Sequence, residues 1–239
     1  MRLLVSVRDA REAVRAVAGG AEVVDAKEPE LGSLGPVAPA TLMAIRAAVP
    51  SRIRLSAALG DMTSPEELAR AFAALPARLA FLKIGFRGLG EARRVLALLT
   101  QAVDFAARLP GRPAVIAVAY ADHARARSLT PGTFPYLVSE SGADGLLLDT
   151  CYKDAGSLFQ VIDAAQLATI GSALEADELS FAVGGSLLAE HLRPAAEAGA
   201  TIFGVRGGVC RGGRSGEVDE DLVRHLAEAV KRERASSRP

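Results

Sequence analysis

Residues 3–27 read LLVSVRDAREAVRAVAGGAEVVDAK. LLVSV, 3–7, is a short apolar run rich in β-branched residues, as a buried strand requires. Asp9 can cap a helix that opens directly behind it. The pair Gly19–Gly20 stops that helix, and EVVDAK, 22–27, is a second strand. A strand, a helix and a second strand in so few residues make one right-handed β-α-β unit with parallel strands.

The same alternation continues to the end of the chain. Strands are predicted at 52–59, 79–85, 114–120, 144–150, 179–185 and 201–208. Helices are predicted at 39–48, from Thr63 or Ser64, at 90–109, at 133–141, from Ser157, at 186–199 and from Asp219. In TSPEEL, Pro65 suits a first helical turn and the glutamates suit a capping box. Eight continuous apolar strands separated by helices imply a parallel sheet buried on both faces. The length of 239 residues fits one closed (β/α)8 barrel, a TIM barrel, spanning 1–239. An open doubly wound sheet would carry a glycine-rich turn after its first strand, and SVRDAR has no glycine there. The charged end KRERASSRP predicts a frayed tail at 232–239.

Composition excludes several classes. Net charge is zero and no stretch is strongly basic, which argues against nucleic acid. No apolar run approaches a membrane span and the N-terminus does not read as a signal peptide, so a cytoplasmic protein is expected. The two cysteines, Cys151 and Cys210, lack metal-site spacing and suggest a reducing compartment. Neither a metal nor a cofactor is expected. A homo-oligomer is.

Lysine usage is the informative bias. Of the 28 basic residues, 24 are arginine and four are lysine: Lys27, Lys83, Lys153 and Lys231. A GC-rich genome explains the arginines, but a retained lysine can deprotonate where arginine cannot. Lys231 lies in a polar helix. The other three fall at the C-terminal ends of predicted strands, where this fold places its chemistry. Lys27 ends strand 2, Lys83 is near the end of strand 4, Asp149 ends strand 6, and Lys153 follows in the loop. Alternate strands share interior layers, so Lys27, Lys83 and Asp149 are expected in one layer. Asp25, two residues before Lys27, would lie one layer below and pair with it. Each alone could be a structural ion pair or a rim charge. Together they suit lysine catalysis, in which burial and neighbouring cations keep one amine neutral.

The ends of strands 7 and 8 suggest a phosphate site. The candidates are Gly184, Gly185 and Ser186 after strand 7, and Arg206, Gly207 and Gly208 after strand 8. Arg211 and Arg214 read as a solvated loop or a second phosphate site. Tyr120 and Asp61 are proton donors or rim packing, and His123 is a loop residue or a site residue. His191 and His225 fall on outer helices. The loop EPELGSLGPV, 28–37, is a lid candidate because of its glycines.

VDAKEP at 24–29 followed by GSLG, LKIGF at 82–86 and LLLDTCYKD at 146–154 together resemble one family, (5-formylfuran-3-yl)methyl phosphate synthase. It is also called 4-(hydroxymethyl)-2-furancarboxaldehyde-phosphate synthase. The similarity runs from LLVSVRDAREA to VRGGVCRGG. It implies condensation of two glyceraldehyde 3-phosphate molecules to a phosphorylated furan aldehyde, a precursor of methanofuran or an analogue in one-carbon metabolism. One phosphate and two waters leave. It also implies that Lys27 forms the Schiff base, that Lys83 transfers protons, and that Asp149 and Lys153 complete the site. Residue chemistry alone leaves open another Schiff-base aldolase acting on a sugar phosphate, or a barrel that binds phosphorylated ligands without turnover.

Overall fold

In the computed structural model, which describes residues 1–75 and 78–236, the strands close on themselves. The order is β1 (Arg2–Val7), α1 (Ala10–Ala18), β2 (Val23–Ala26), α2 (Pro39–Ala48), β3 (Arg54–Asp61), α3 (Pro65–Ala73) and β4 (Phe81–Gly85). It continues with α4 (Ala92–Arg108), β5 (Ala114–Tyr120), α5 (His123–Ala126), α6 (Phe134–Ser141), β6 (Gly145–Asp149), α7 (Leu158–Val161), α8 (Ala164–Ala176) and β7 (Ser180–Val183). Then come α9 (Leu192–Glu197), β8 (Ile202–Val205), the two-residue strands β9 (Cys210–Arg211) and β10 (Glu217–Val218), and α10 (Glu220–Ser236). Strands β1 to β8 pair in sequence order, all parallel, and β8 closes on β1: a (β/α)8 barrel.

Alternation along each strand builds two cores. Outward residues such as Val5, Val24, Leu55 and Leu82 pack under the helices. Inward residues such as Leu4, Val23, Ile116, Leu147 and Ile202 fill the barrel. Capping follows the sequence signals. Asp9 accepts from the Glu12 N–H at 2.8 Å. Ser64 caps α3, and Glu67 reaches back to the N–H of Thr63 at 2.8 Å.

Besides strand ends that shift by up to three residues, three predicted elements differ from expectation. β3 extends to Asp61 because a bulge between Ala58 and Gly60 adds a residue, and Gly60, at φ +100°, supplies the left-handed backbone it needs. The helix expected from Ser157 is broken at Ile162 into α7 and α8. The helix expected over 186–199 is reduced to α9, because Ser186 takes φ +52° and the chain turns along the barrel rim first. Residues 232–236 continue α10, and Arg234 binds the Met1 carbonyl at 2.9 Å and Glu22 at 2.7 Å. The rest of the predicted tail, 237–239, lies outside the described residues. Among the described residues, no helix is long and apolar enough to cross a membrane.

Candidate active site

A cavity of about 310 Å³ opens at the C-terminal ends of the strands and runs down into the barrel. Its floor is apolar, formed by Leu4, Phe81, Ile116, Leu147, Ala182 and Ile202. Its walls carry Lys27, Lys83, Asp149, Lys153, Gly184, Gly185, Ser186, Arg206, Gly207 and Gly208. Asp25 sits behind that wall, fully buried. The five residues read as catalytic and the six read as phosphate-binding are therefore brought to one place.

Their pairing is not the one expected. Asp25 does not pair with Lys27. Its carboxylate accepts from Lys83 Nζ at 2.6 Å, from Ser6 at 2.8 Å and from Ser56 at 2.5 Å. Register explains the choice. Ser6, Asp25 and Ser56 are direct neighbours across β1, β2 and β3. Ala26 pairs with Ala57, so Lys27 falls beside Ala58, which pairs with Lys83. At the shear of this fold each strand-to-strand step drops by one residue. Lys83 thus lies one inward layer below Lys27, level with Asp25, and the expected single layer of Lys27, Lys83 and Asp149 is two layers.

Asp149 forms the upper pair. Its Oδ1 accepts from Lys153 Nζ at 2.6 Å and from the Thr150 N–H at 2.7 Å. Lys153 also donates to the Thr150 hydroxyl at 3.1 Å. The loop that delivers Lys153 is clamped by Asp122, which accepts from the N–H groups of Cys151 and Tyr152 at 2.7 and 2.8 Å. Arg125 stacks on the Tyr152 ring at 3.9 Å and pairs with Asp154 at 2.6 Å.

Among the described residues, no carboxylate lies within 4 Å of Lys27 Nζ. Burial pushes its ammonium down to about 7, against the pull of Asp149 and with the help of Lys83. Burial alone would lift both carboxyls. Instead Lys83 and Lys27 hold Asp25 below the usual carboxylate range, and Lys153 and Lys27 do the same for Asp149. The arrangement is one neutralisable amine between two ion pairs.

The glycines after β7 make room for Asp149. A Cβ on Gly184 would sit 3.3 Å from its Cγ, and one on Gly185, at φ +101°, 3.1 Å from its Oδ1. Gly207 and Gly208 open a short 3-10 turn whose first N–H groups have no partner within it. Arg206 departs from expectation. All five of its N–H groups are engaged: Nε with Arg214 O at 2.8 Å, Nη1 with Ser6 O at 3.0 Å and Glu12 at 2.8 Å, Nη2 with Glu12 at 3.1 Å and Gly216 O at 3.0 Å. It braces the wall and has no N–H left for a phosphate.

Tyr120 is sealed away from the cavity. Its hydroxyl donates to Asp61 at 2.7 Å and accepts from Ser33 at 3.3 Å. Ser33 and Leu34 bring the 28–37 loop down onto the β3–β5 side of the mouth, and the cavity opens on the other side. His123 stays on its loop, Nδ1 beside Ala121 O at 3.3 Å. Ser6, Ser56 and Glu12 were not read from sequence as site residues, and Arg214 was read as a solvated loop residue or part of a second phosphate site. The signal for the first two was available: a serine at an inward position of an otherwise apolar strand.

The family model described as 4-HFC-P synthase matches residues 3–227. A (5-formylfuran-3-yl)methyl phosphate synthase from Methanothermobacter thermautotrophicus is 34% identical over 234 residues, covering 96% of this chain and 99% of that protein. One from Methanopyrus kandleri is 36% identical over 234 residues, covering 96% and 98%. Among solved structures, phosphoribosyl anthranilate isomerase from Thermus thermophilus superposes with a TM-score of 0.64 at 18% identity, covering all of both chains. A 3-hexulose-6-phosphate synthase gives 0.61 at 16% identity, covering 96% of this chain and 100% of that one. At such identities these two structures attest the barrel fold alone.

Proposed function

The chain belongs to the 4-HFC-P synthase family, and from that premise we propose that it condenses two molecules of glyceraldehyde 3-phosphate to (5-formylfuran-3-yl)methyl phosphate through a Schiff base on Lys27. The observation that carries this reading is Lys27 itself: a buried amine with its pKa brought to about 7, facing a cavity, with no counter-ion within 4 Å among the described residues. A neutral amine is the nucleophile that imine formation needs.

Each residue has a part in that chemistry. Lys27 attacks the aldehyde carbon of the first substrate, forming a C–N bond, and water leaves as the imine forms. Lys83, ion-paired with Asp25, donates the proton that the departing hydroxyl requires. Oxygen Oδ1 of Asp149 is engaged by Lys153, and Oδ2 accepts no hydrogen bond among the described residues. Oδ2 takes the proton from the carbon next to the imine, leaving an enamine. That carbon forms the C–C bond to the aldehyde of the second molecule. Lys153 holds Asp149 ionised for the proton transfer. The turns at Gly184–Ser186 and Gly207–Gly208 hold a phosphate with backbone N–H groups. Loss of one phosphate and two waters in all, with return of the Lys27 amine, balances two substrates against the furan. Aromaticity of the product draws the sequence forward.

The test is borohydride reduction in the presence of glyceraldehyde 3-phosphate followed by mass spectrometry. An adduct on Lys27 and a product with near-ultraviolet furan absorption are expected. An unmodified Lys27, or wild-type turnover by Lys27→Ala, would sink the reading.

A further inference from the structure

Five cations line the cavity: Lys27, Lys83, Lys153, Arg206 and Arg214. Three of them have a carboxylate at hydrogen-bond distance. Lys83 has Asp25, Lys153 has Asp149, and Arg206 has Glu12, at 2.6, 2.6 and 2.8 Å. Lys27 loses its charge near neutral pH because it is buried. That leaves Arg214, which among the described residues has no carboxylate within 4 Å. Burial lowers its pKa below the ordinary arginine value, yet an arginine stays charged near neutrality. The cavity therefore holds one permanent positive charge with no carboxylate paired to it among the described residues, Asp149 acting on it only from beyond 4 Å, and an anion from outside is its natural complement.

Position narrows the anion. The Arg214 backbone packs against the turn after β8: a Cβ on Gly207 would lie 3.6 Å from its N atom and 3.7 Å from its Cα. Its carbonyl is tied to Arg206 Nε at 2.8 Å. Glu12, Arg206 and Arg214 thus form a chain of contacts that sets the guanidinium on the same wall as Gly207 and Gly208. Its Nη2 donates to the carbonyls of Gly32 at 2.7 Å and Pro29 at 3.3 Å, both in the loop that follows Lys27. The N–H groups on Nε and Nη1 have no acceptor among the described residues and remain for a ligand. A planar guanidinium suits a phosphate monoester, which it can meet with charge-assisted hydrogen bonds.

We propose that Arg214 is the side chain that reads the phosphate of the aldehyde bound at Lys27, and that its grip on Pro29 and Gly32 couples phosphate binding to the 28–37 loop. This rests on the reaction proposed above only for the identity of the aldehyde. Phosphate fixes the guanidinium, and the fixed guanidinium holds the loop down beside the reacting amine. Arg206 is the positioning residue for this device.

Two measurements separate this inference from the reaction itself. The first titrates inorganic phosphate into the protein by calorimetry and follows hydrogen exchange of residues 28–37. Wild type is expected to bind phosphate and to slow exchange in that loop. Arg214→Met is expected to bind phosphate about tenfold more weakly or worse, the value of a charge-assisted hydrogen bond, with no change in loop exchange. Arg214→Lys keeps a charge but not the bridge, so it is expected to retain most phosphate affinity and lose the loop response. The second compares Lys27 trapping with glyceraldehyde 3-phosphate and with unphosphorylated glyceraldehyde. Arg214→Met is expected to need about tenfold more of the phosphorylated aldehyde and the same amount of the other, which also shows that the variant is folded. Equal phosphate affinity in wild type and Arg214→Met, no phosphate binding by wild type, or equal losses with both aldehydes overturns the assignment of Arg214. Loop exchange that ignores phosphate in wild type overturns the coupling. Absence of any Lys27 adduct in wild type, with phosphate binding intact, overturns the reaction and leaves Arg214 standing.

Discussion

The carboxylate of Asp25 accepts from Lys83 Nζ at 2.6 Å and forms no ion pair with Lys27, two residues further along the same chain. In the proposed reaction, that choice decides which amine is the nucleophile. Lys83 carries a fixed counter-ion, whereas Lys27 has been taken out of water without one. Its pKa of about 7 makes the amine half neutral at pH 7 and about one-tenth neutral a pH unit lower. The rate of Lys27 adduct formation should therefore climb with pH and level off above an apparent pKa close to 7. Stopped-time borohydride trapping across pH 5 to 9 measures it. A rate that stays flat down to pH 5 would mean that Lys27 is not the titrating nucleophile.

The same depressed pKa is a stability statement. Between about 7 and the ordinary value of 10.5, the unfolded chain binds a proton at Lys27 that the folded chain does not. Stability contributed by this group therefore rises with pH across that window, and the full penalty of the buried ammonium applies below it. Lys27→Met removes the penalty and keeps the volume. The variant should be inactive yet more stable near pH 6, by on the order of 1 kcal/mol or about 2–4 °C in Tm. The advantage should shrink as pH approaches 10. Thermal scans of both proteins at pH 6 and 9 test this, and a destabilised Lys27→Met at pH 6 would contradict it.

The sequence made the barrel legible because eight apolar runs and their caps repeat one unit, and burial on both faces of each strand leaves a strong pattern. It made the site legible through lysine scarcity and strand-end position. What it hid depends on register. Whether Asp25 pairs with Lys27 or Lys83 turns on the shear of the closed barrel, which no single strand encodes. The rim turn at Ser186 and the bulge at Gly60 depend on single residues with positive φ, below the reach of periodicity. Arg206 and Arg214 differ only in which carbonyls and carboxylates fold back onto them. Glu12, which engages Arg206, lies 194 positions away in the chain.

The lower ion pair should be the more costly to disturb. Asp25 is fully buried, and Asp25→Asn would leave the Lys83 ammonium buried without its counter-ion. Removal of one partner of such a pair costs about 3–5 kcal/mol. Ser6→Ala and Ser56→Ala each remove one neutral donor to a charged acceptor, and should cost about 1.5–3 kcal/mol. Urea denaturation at constant m-value gives the ranking. A variant in which Asp25→Asn is milder than Ser6→Ala would show that Lys83 finds another partner or releases its proton.

The buried pair of Glu12 and Arg206 tests whether Arg206 is a brace or a ligand. Both side chains are about 2% exposed, and the guanidinium meets the carboxylate through two N–H groups at 2.8 and 3.1 Å. As a brace, Arg206 works only with Glu12 in place. Glu12→Ala should then destabilise the fold by about 3–5 kcal/mol, because it leaves the buried Arg206 charge without a carboxylate, and Arg206→Met should cost less, because Glu12 keeps Arg8 at 3.3 Å. The double variant should cost less than the sum, since it removes both charges together. Glu12 does not line the cavity, so its loss reaches the phosphate wall through Arg206, which holds the Arg214 carbonyl, and through Arg8, which donates to Ser215 O at 3.0 Å. Phosphate affinity should therefore fall in Glu12→Ala, measured below its unfolding temperature. If it stays at the wild-type value in Glu12→Ala and is lost in Arg206→Met, Arg206 contacts the phosphate directly, and the wall must rearrange when substrate binds.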